Sequence, residues 1–244
     1  MKNWKKVFHI VGWMVSAGAL CYLIYRLVIY EDYASLWQSF RQADTMGRLC
    51  LLGAVLLVPV QLGVEARRWQ IMLQGIVQVG FGDAFRQVLF GIIGAFITPY
   101  RLGEYPSRLL KAGLRTDAFQ LGEWRAWLKD WRKWLKVLGL TLLRYSVWGC
   151  QLWGVLTFCG ILMTPVQAVG TIAVYYFLIS VMPSVPAADV VLKGGWAVLC
   201  FSPYTESAPA IAIAVSLIWG INTLLPTGVG VLVETGELKM KNKE

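Results

Sequence analysis

Two short stretches of this sequence place an acid four residues before a base. Glu104 precedes Arg108 in TPYRLGEYPSR, and Asp189 precedes Lys193 in MPSVPAADVVLKGG. On a helix this spacing puts both side chains on one face, with the acid N-terminal to the base, the favourable order for an ion pair. Bases held in this way can bind a phosphate through charge-assisted hydrogen bonds. The chemistry indicated is binding without covalent catalysis.

In both stretches an apolar run and a proline precede the pair. Pro99 lies five residues before Glu104, Pro183 lies six before Asp189, and Arg101 adds a further base to the first stretch. Two short, interrupted segments in corresponding halves of a membrane chain are the sequence pointer to a transporter-like site, and opposite entry sides would make the repeat inverted. The alternative is that both prolines end ordinary helices and that the charges lie at the interface beyond them.

The composition is that of an integral membrane protein, with 57% hydrophobic and 15% charged residues. Runs long enough to cross about 30 Å of hydrocarbon occur near residues 7–29, 49–64, 137–163, 166–182 and 208–233. Two further apolar runs, 87–99 and 190–202, are too short. We therefore expect an all-α, polytopic bundle with two interrupted or re-entrant elements, forming one domain over residues 1–244.

The distribution of charge predicts the topology. Basic residues flank the first, second and last spans, and residues 101–136 are also rich in Lys and Arg, so these sites and both termini are expected in the cytoplasm. The run at 87–99 then enters and returns, or forms a hairpin with WQIMLQGIVQVGF before it. Residues 166–203 form either two spans or a hairpin within the membrane. Non-helical backbone at that depth needs protein or water around it, which suggests an internal cavity.

An amphipathic helix is predicted for residues 122–138, GEWRAWLKDWRKWLKVL. One face carries its four tryptophans, and basic residues occupy the other. Such a helix lies in the membrane interface. It either anchors the fold only or gathers anionic lipid near residues 101–108. The tryptophans are Trp124, Trp127, Trp131 and Trp134.

Other chemistries have little support in the sequence. The single histidine, His9, removes most metal and hydrolase motifs, and the five cysteines lie in apolar stretches without a C-x-x-C. We expect no metal, no cofactor, no enzymatic activity and no nucleic-acid partner. Two polar residues have roles that stay open. Glu65, which ends the second span together with Arg67 and Arg68, belongs to an interfacial snorkelling cluster or to a site. Asn222, inside the last span, makes an interhelical hydrogen bond or lines the cavity.

The motif P-x-R-x-G-E, from Pro99 through Gly103 to Glu104, followed by Arg108, resembles the signature of the lysylphosphatidylglycerol synthase transmembrane family. The resemblance extends to VEARRW (64–69), LRYSVWGCQLWGVLTFCGI (143–161), MPSVPAADVVLKGG (182–195) and LIWGINTLLPTGVG (217–230). It implies a flippase-like, lipid-translocating domain without the synthase domain. The chain departs from the family between residues 115 and 137, where relatives have further hydrophobic segments, and at Lys193, where an arginine is expected.

The resemblance and the charges together lead to one expected function. A lipid flippase or lipid-binding transporter of the cytoplasmic membrane would hold an anionic or aminoacylated phospholipid. Arg101, Arg108 and Lys193 would bind its phosphate, while Glu104 and Asp189 would orient those bases. Pro99, Gly103, Glu65, Pro183 and Asn222 would support the site. A second copy of the chain or a separate lipid-modifying enzyme is the expected protein partner. The alternatives are a non-transporting membrane scaffold or accessory subunit and an intramembrane lipid-modifying enzyme.

Overall fold

The computed structural model describes residues 44–74, 77–98, 102–113, 130–181 and 189–241, together with the isolated residues Tyr25, Val28 and Ala34. Of residues 189, 190 and 237–241 it describes the backbone alone. All regular structure in these ranges is helical, and they contain no strand. The predicted all-α class is thereby confirmed.

The described helices follow one another with short connections. They are α1 (Thr45–Leu73), α2 (Phe81–Ile97), α3 (Glu104–Lys111), α4 (Trp131–Phe158), α5 (Pro165–Val181), α6 (Asp189–Phe201), α7 (Ala208–Trp219) and α8 (Leu225–Lys241). A 3-10 turn, Ser202–Tyr204, follows α6. Five π-helical residues, Gly220–Leu224, join α7 directly to α8, so these two helices form one continuous segment.

Two helical segments in the described part of the chain are long and apolar enough to cross a membrane, by length and composition. They are α1 and Ala208–Gly236, each of 29 residues. At 1.5 Å per residue, each is about 43 Å long, which exceeds the roughly 30 Å of a hydrocarbon core. Helix α5 is also apolar but shorter. The predicted first span, 7–29, lies outside the described residues apart from Tyr25 and Val28.

Two helix boundaries differ from those expected. Helix α1 continues to Leu73, so the residues WQIML complete α1 and are not half of a hairpin with the run at 87–99. Helix α4 begins at Trp131 and continues without a break to Phe158. The second half of the predicted interfacial helix is therefore continuous with the predicted span at 137–163, and both belong to α4.

The chain divides into two compact units. The first unit contains Met1–Val55 and Gly149–Gly220, and the second contains Leu56–Trp148 and Ile221–Glu244. In the first unit, α5 and α6 run antiparallel. The hydroxyl groups of Thr171 and Tyr204 share a hydrogen bond of 2.8 Å, and the rings of Tyr175 and Phe201 are 5.6 Å apart.

The apolar core of the second unit lies between α1 and α2. Its residues on α1 recur at helical spacing, so they form one stripe that packs against a matching stripe of α2. The core contains Val58, Leu62, Ala66, Trp69, Leu73, Ala84, Val88, Leu89 and Ile92. Gln61, Glu65 and Arg68 each come one position before a member of this stripe. A polar stripe therefore runs along α1 beside the core.

Helices α2 and α3 form a tight hairpin in the same unit. Glycine allows the close approach: a Cβ on Gly94 would collide with Ser107, and one on Gly103 would lie 2.6 Å from the carbonyl oxygen of Gly94. The hydroxyl of Thr98 donates to that same oxygen at 2.7 Å and accepts from the Gly103 amide at 2.7 Å. These bonds close the turn between the two helices and set the position of Glu104 at the start of α3.

Candidate functional site: a buried arginine and glutamate cluster

The carboxylate of Glu65 receives hydrogen bonds from three arginines. Its Oε1 accepts from Arg68 at 2.7 Å and from Arg108 at 2.8 Å, and its Oε2 accepts from Arg144 at 2.7 Å. Glu65 is only 2% exposed, and it lies in a helix that is apolar enough to span a membrane. The carboxylate is therefore enclosed by its ion pairs, which differs from the predicted interfacial snorkelling cluster, and its predicted role in a site stays a prediction.

Arg108 joins α3 to α1. Its second terminal nitrogen donates to Glu104 at 2.5 Å, so the predicted pair at four-residue spacing is present. Its guanidinium carbon lies 5.4 Å from the ring centre of Trp69 and 5.5 Å from that of Tyr105. The residue is 1% exposed. Two carboxylates and two aromatic faces thus replace the water that a guanidinium would otherwise bind.

The burial of Arg108 depends on Gly91 of α2. A Cβ at that position would lie 2.5 Å from Cγ and 2.7 Å from Nε of Arg108. The Nε groups of Arg108 and Arg68 are buried and have no hydrogen-bond partner among the described residues. Each is a donor that an additional acceptor could satisfy after a small displacement of the side chain.

We use the term Glu65 cluster for the five charged residues Glu65, Arg68, Glu104, Arg108 and Arg144. Among the described residues it contains three guanidiniums and two carboxylates. Glu104 and Arg144 each have a further interaction beyond these bonds. Guanidinium groups bind phosphate and carboxylate oxygens well, so the cluster is chemically suited to an anionic ligand.

A second polar layer lies one helical turn from the cluster. Gln61 donates to the Asn222 side-chain oxygen at 2.7 Å, and its own oxygen accepts from the indole nitrogen of Trp148. Asn222 lies in the π-helical turn, a feature often found at functional sites. The Trp148 ring also lies 4.4 Å from the guanidinium carbon of Arg144, which connects the two layers. The predicted interhelical hydrogen bond of Asn222 is present.

Three of the predicted site residues, Glu65, Glu104 and Arg108, are in direct contact. Gly103 precedes α3 at its N-cap position. Lys193 belongs to the first unit, where it is half-buried and its carbonyl oxygen accepts from the Tyr175 hydroxyl at 3.4 Å.

The remaining predicted residues are described only in part. Asp189 is the first residue of α6, and its side chain is not described. Trp131 and Trp134 are exposed in the first turns of α4. Arg101, Pro99, Pro183, Trp124 and Trp127 lie outside the described residues.

Sequence reasoning missed Arg144, Gln61 and Trp148. Arg144 had a visible signal, since it interrupts the apolar stretch LTLLRYSVW, and an ionisable residue inside such a run marks a candidate site. Gln61 lies four residues before Glu65, on the same face of α1. Neither signal identifies the partner, because Arg144 and Glu65 are 79 positions apart.

The described residues define an all-helical protein with two candidate membrane-spanning segments and a buried, charge-paired cluster. They contain no group of three or more His, Cys, Asp or Glu side chains placed to hold a metal ion. Comparison with known proteins gave no match to a family model, to a curated protein or to a solved structure. The resemblance to the lysylphosphatidylglycerol synthase transmembrane family therefore depends on the motifs alone.

Proposed function

We propose that the protein is a flippase-like lipid transporter or lipid-binding protein, in which the Glu65 cluster attracts the phosphate of a phospholipid or lipid-linked headgroup. The observation that carries this proposal is the group of three guanidiniums, from α1, α3 and α4, around the buried carboxylate of Glu65. Charged residues within membrane segments cost about 2.5–3.5 kcal/mol each on insertion scales, so they are usually paired and functional. The partner would be an anionic or aminoacylated phospholipid.

The position of Glu65 along α1 supports this proposal. Glu65 follows the middle residue of the helix, Pro59, by six positions, or about 9 Å along the axis. For a centred, untilted helix this places Glu65 inside a hydrocarbon layer that extends about 15 Å to each side of the midplane. The Gln61 layer lies closer still to the middle. Two polar layers along one helix would offer a headgroup a polar path through the apolar region.

The arginines would have different roles in this proposal. The side chains of Arg68 and Arg144 are 15% and 18% exposed, whereas Arg108 is enclosed. We expect a phosphate to meet Arg68 and Arg144 first and to compete with Glu65 for them. Arg108 would hold Glu65 and Glu104 in place. The lipid would move by alternating access or along the polar layers, without covalent chemistry.

The proposed setting is the cytoplasmic membrane, with several spans and both termini in the cytoplasm. Its support is the positive-inside pattern of the sequence together with the two candidate spans. A second copy of the chain or a separate enzyme that modifies the headgroup would be a natural partner.

Lipid exchange in liposomes tests the proposal. Purified protein in phosphatidylglycerol-containing vesicles should speed the exchange of fluorescent phosphatidylglycerol between leaflets, compared with empty vesicles. Glu104→Gln, Arg108→Ala and Arg144→Gln should abolish this gain. Arg144→Gln is the most informative variant, because Arg144 is the least buried member of the trio that binds Glu65. Arg48→Gln, which removes an exposed charge in the first turn of α1, should leave exchange unchanged.

A scaffold or accessory subunit is the second candidate. The observation in its favour is the tight enclosure of Arg108, whose ion pairs could simply lock helices together. A scaffold would give no exchange at all, and the same variants would lower stability or release a copurifying protein. Unchanged exchange in folded Arg144→Gln protein would reject the cluster as the transport site.

A further inference from the structure

A polar cavity of about 310 Å³ lies in the second unit, at the end where α2 begins and α3 ends. Five of its eight lining residues are polar or charged. The lining consists of Val77, Gln78, Val79, Asp83, Arg86, Gln87, Lys111 and Ala112. The cavity includes no member of the Glu65 cluster.

We propose that this cavity is a binding site for a phosphate-bearing polar headgroup, with Arg86, Lys111 and Gln87 as its donors. The inference builds on the proposed function, because it gives the headgroup a place to bind before it meets the Glu65 cluster. The cluster itself is closely packed, since Gly91 presses on Arg108, whereas the cavity has room for a ligand.

The cavity and the cluster occupy successive positions along the same two helices. On α2, Gln87 and Asp83 come about one and two turns before Gly91, the residue that contacts Arg108. On α3, Lys111 follows Arg108 by three positions, or about one turn. Helices α2 and α3 run antiparallel, so the start of α2 and the end of α3 lie at the same end of the hairpin. The cavity lies at that end, next to the cluster.

Gln87 is a buried residue of the cavity wall whose side-chain amide is held in place. It is 5% exposed, and its side-chain oxygen accepts from the Trp69 indole nitrogen at 2.8 Å. This bond fixes the orientation of the amide, and the amide nitrogen is not among the buried side-chain nitrogens without a partner. A phosphate oxygen in the cavity could accept a hydrogen bond from this NH2 group. Trp69 also contacts Arg108, so one ring connects both sites.

Lys111 and Arg86 provide the positive charge that would attract the phosphate. Lys111 forms an ion pair with Glu234 at 2.8 Å, and both side chains keep about a fifth of their surface exposed. The ammonium has three N–H donors, so Lys111 can bind a phosphate oxygen and keep Glu234. Arg86 is exposed at the cavity wall and offers a planar, bidentate donor set. Helix α2 begins beside the cavity without a side-chain cap, so its first amides add to the attraction for an anion.

The remaining polar residues of the cavity wall indicate which chemical groups the ligand carries beside its phosphate. Asp83 carries a carboxylate and Gln78 an amide, which can accept hydrogen bonds from a hydroxyl or an ammonium group. A cavity of this size lies at the small end of ligand pockets, which is sufficient for a headgroup but not for acyl chains. The ligand class is therefore a phosphate ester whose polar part has a hydroxyl or amine. Both a membrane lipid and a soluble phosphate ester fit this chemistry.

Calorimetric titration of the full chain in neutral detergent tests the site. Four ligands separate the possible sources: dihexanoyl-phosphatidylglycerol, dihexanoylglycerol, glycerol phosphate and inorganic phosphate. We expect phosphatidylglycerol to bind and dihexanoylglycerol, which lacks the phosphate, not to bind. Tighter binding of the lipid than of glycerol phosphate would assign the site to a membrane lipid. Equal affinities would assign it to a soluble phosphate ester, and both results support a phosphate site.

Matched variants decide whether binding occurs in this cavity. Arg86→Gln changes an exposed residue and should weaken phosphatidylglycerol binding about tenfold or more, and Lys111→Gln should have a similar effect. Arg48→Gln removes one exposed positive charge outside the cavity and outside the helix predicted at 122–138, and it should retain the wild-type affinity. Wild-type affinity in Arg86→Gln protein, an equal loss in Arg48→Gln protein, or no binding of any phosphate compound would overturn the proposal.

This titration does not depend on lipid movement. Headgroup binding that Arg86→Gln weakens, in a protein without leaflet exchange, would leave the cavity assigned and reject transport. Exchange that survives Arg86→Gln with unchanged binding would reject the cavity and leave transport in place.

Discussion

Gly91 and Arg108 pack so closely that any side chain at position 91 would overlap the aliphatic part of the arginine. A Cβ there would also lie 2.9 Å from the carbonyl oxygen of Glu104, which is backbone and cannot move aside easily. The hairpin of α2 and α3 thus uses a glycine to admit a large charged side chain. Its geometry and the ion pairs of Arg108 depend on each other.

We predict that Gly91→Ala destabilises the protein by about 1–3 kcal/mol, the usual cost of overpacking a filled interior. Alanine favours helix by up to about 1 kcal/mol over glycine, so a net loss would reflect the clash with Arg108. Reversible unfolding in mixed detergent and SDS measures the change. Gly82→Ala is the matched control on α2, because a Cβ at Gly82 meets nothing within 4 Å. Equal stability of the two variants would contradict the packing described.

Glu65→Gln should be among the most destabilising conservative changes in the chain. It keeps the shape of the side chain but removes the charge that three arginines share, leaving uncompensated guanidiniums in a buried place. Breaking a buried ion pair on one side costs about 3–5 kcal/mol. The same unfolding measurement applies. Glu234→Gln, which breaks the partly exposed pair with Lys111, should cost about 1 kcal/mol or less, and a similar loss in both would argue against the central role of Glu65.

Gln61 and Asn222 should show measurable coupling. Either Gln61→Leu or Asn222→Leu removes one side of the hydrogen bond between them, whereas the double variant removes both sides. Side-chain hydrogen bonds in membrane proteins have a mean coupling of about 0.6 kcal/mol in double-mutant cycles. We expect a coupling of this size from the four unfolding free energies. Strict additivity would show that the bond adds nothing to stability.

Local spacing was enough to predict some of this structure. Glu104 and Arg108 are four residues apart on one helix, so their pairing follows from helix geometry alone. The four-residue repeat of Gln61 and Glu65 beside the apolar stripe of α1 is also a local pattern, although sequence reasoning did not use it and missed Gln61. The ion pair between Glu65 and Arg144 depends on how two helices that are distant in sequence pack together, and no local sequence pattern predicts that packing.

The extent of α4 shows a second limit of prediction from local sequence patterns. The change from basic and tryptophan-rich to apolar sequence near Val137 indicated two elements, an interfacial helix and a span. The backbone responds to other signals: WRKWLKVL contains neither proline nor glycine, and nothing in it ends a helix. One helix therefore runs from Trp131 to Phe158 through both compositions. A change of solvent environment along a chain does not require a change of backbone structure.

In the first unit, α1 and α4 approach closely at Cys50 and Gly154. A Cβ on Gly154 would lie 3.0 Å from the Cys50 carbonyl oxygen and 3.6 Å from the Cys50 Cβ, and disulfides have Cβ separations of about 3.5–4.5 Å. We predict that Gly154→Cys forms a disulfide with the native Cys50 under mild oxidation.

A protease site inserted after Gly113 makes the cross-link visible. Gly113 is exposed, has a positive φ of 68°, and a Cβ there would meet nothing within 4 Å, so an insertion should be tolerated. After cleavage, the two fragments of Gly154→Cys protein should stay together on a non-reducing gel and separate on reduction. Adding Cys50→Ala should abolish the link. Fragments that separate without reductant would contradict the close approach of α1 and α4 at this point, because a disulfide requires Cβ atoms about 3.5–4.5 Å apart.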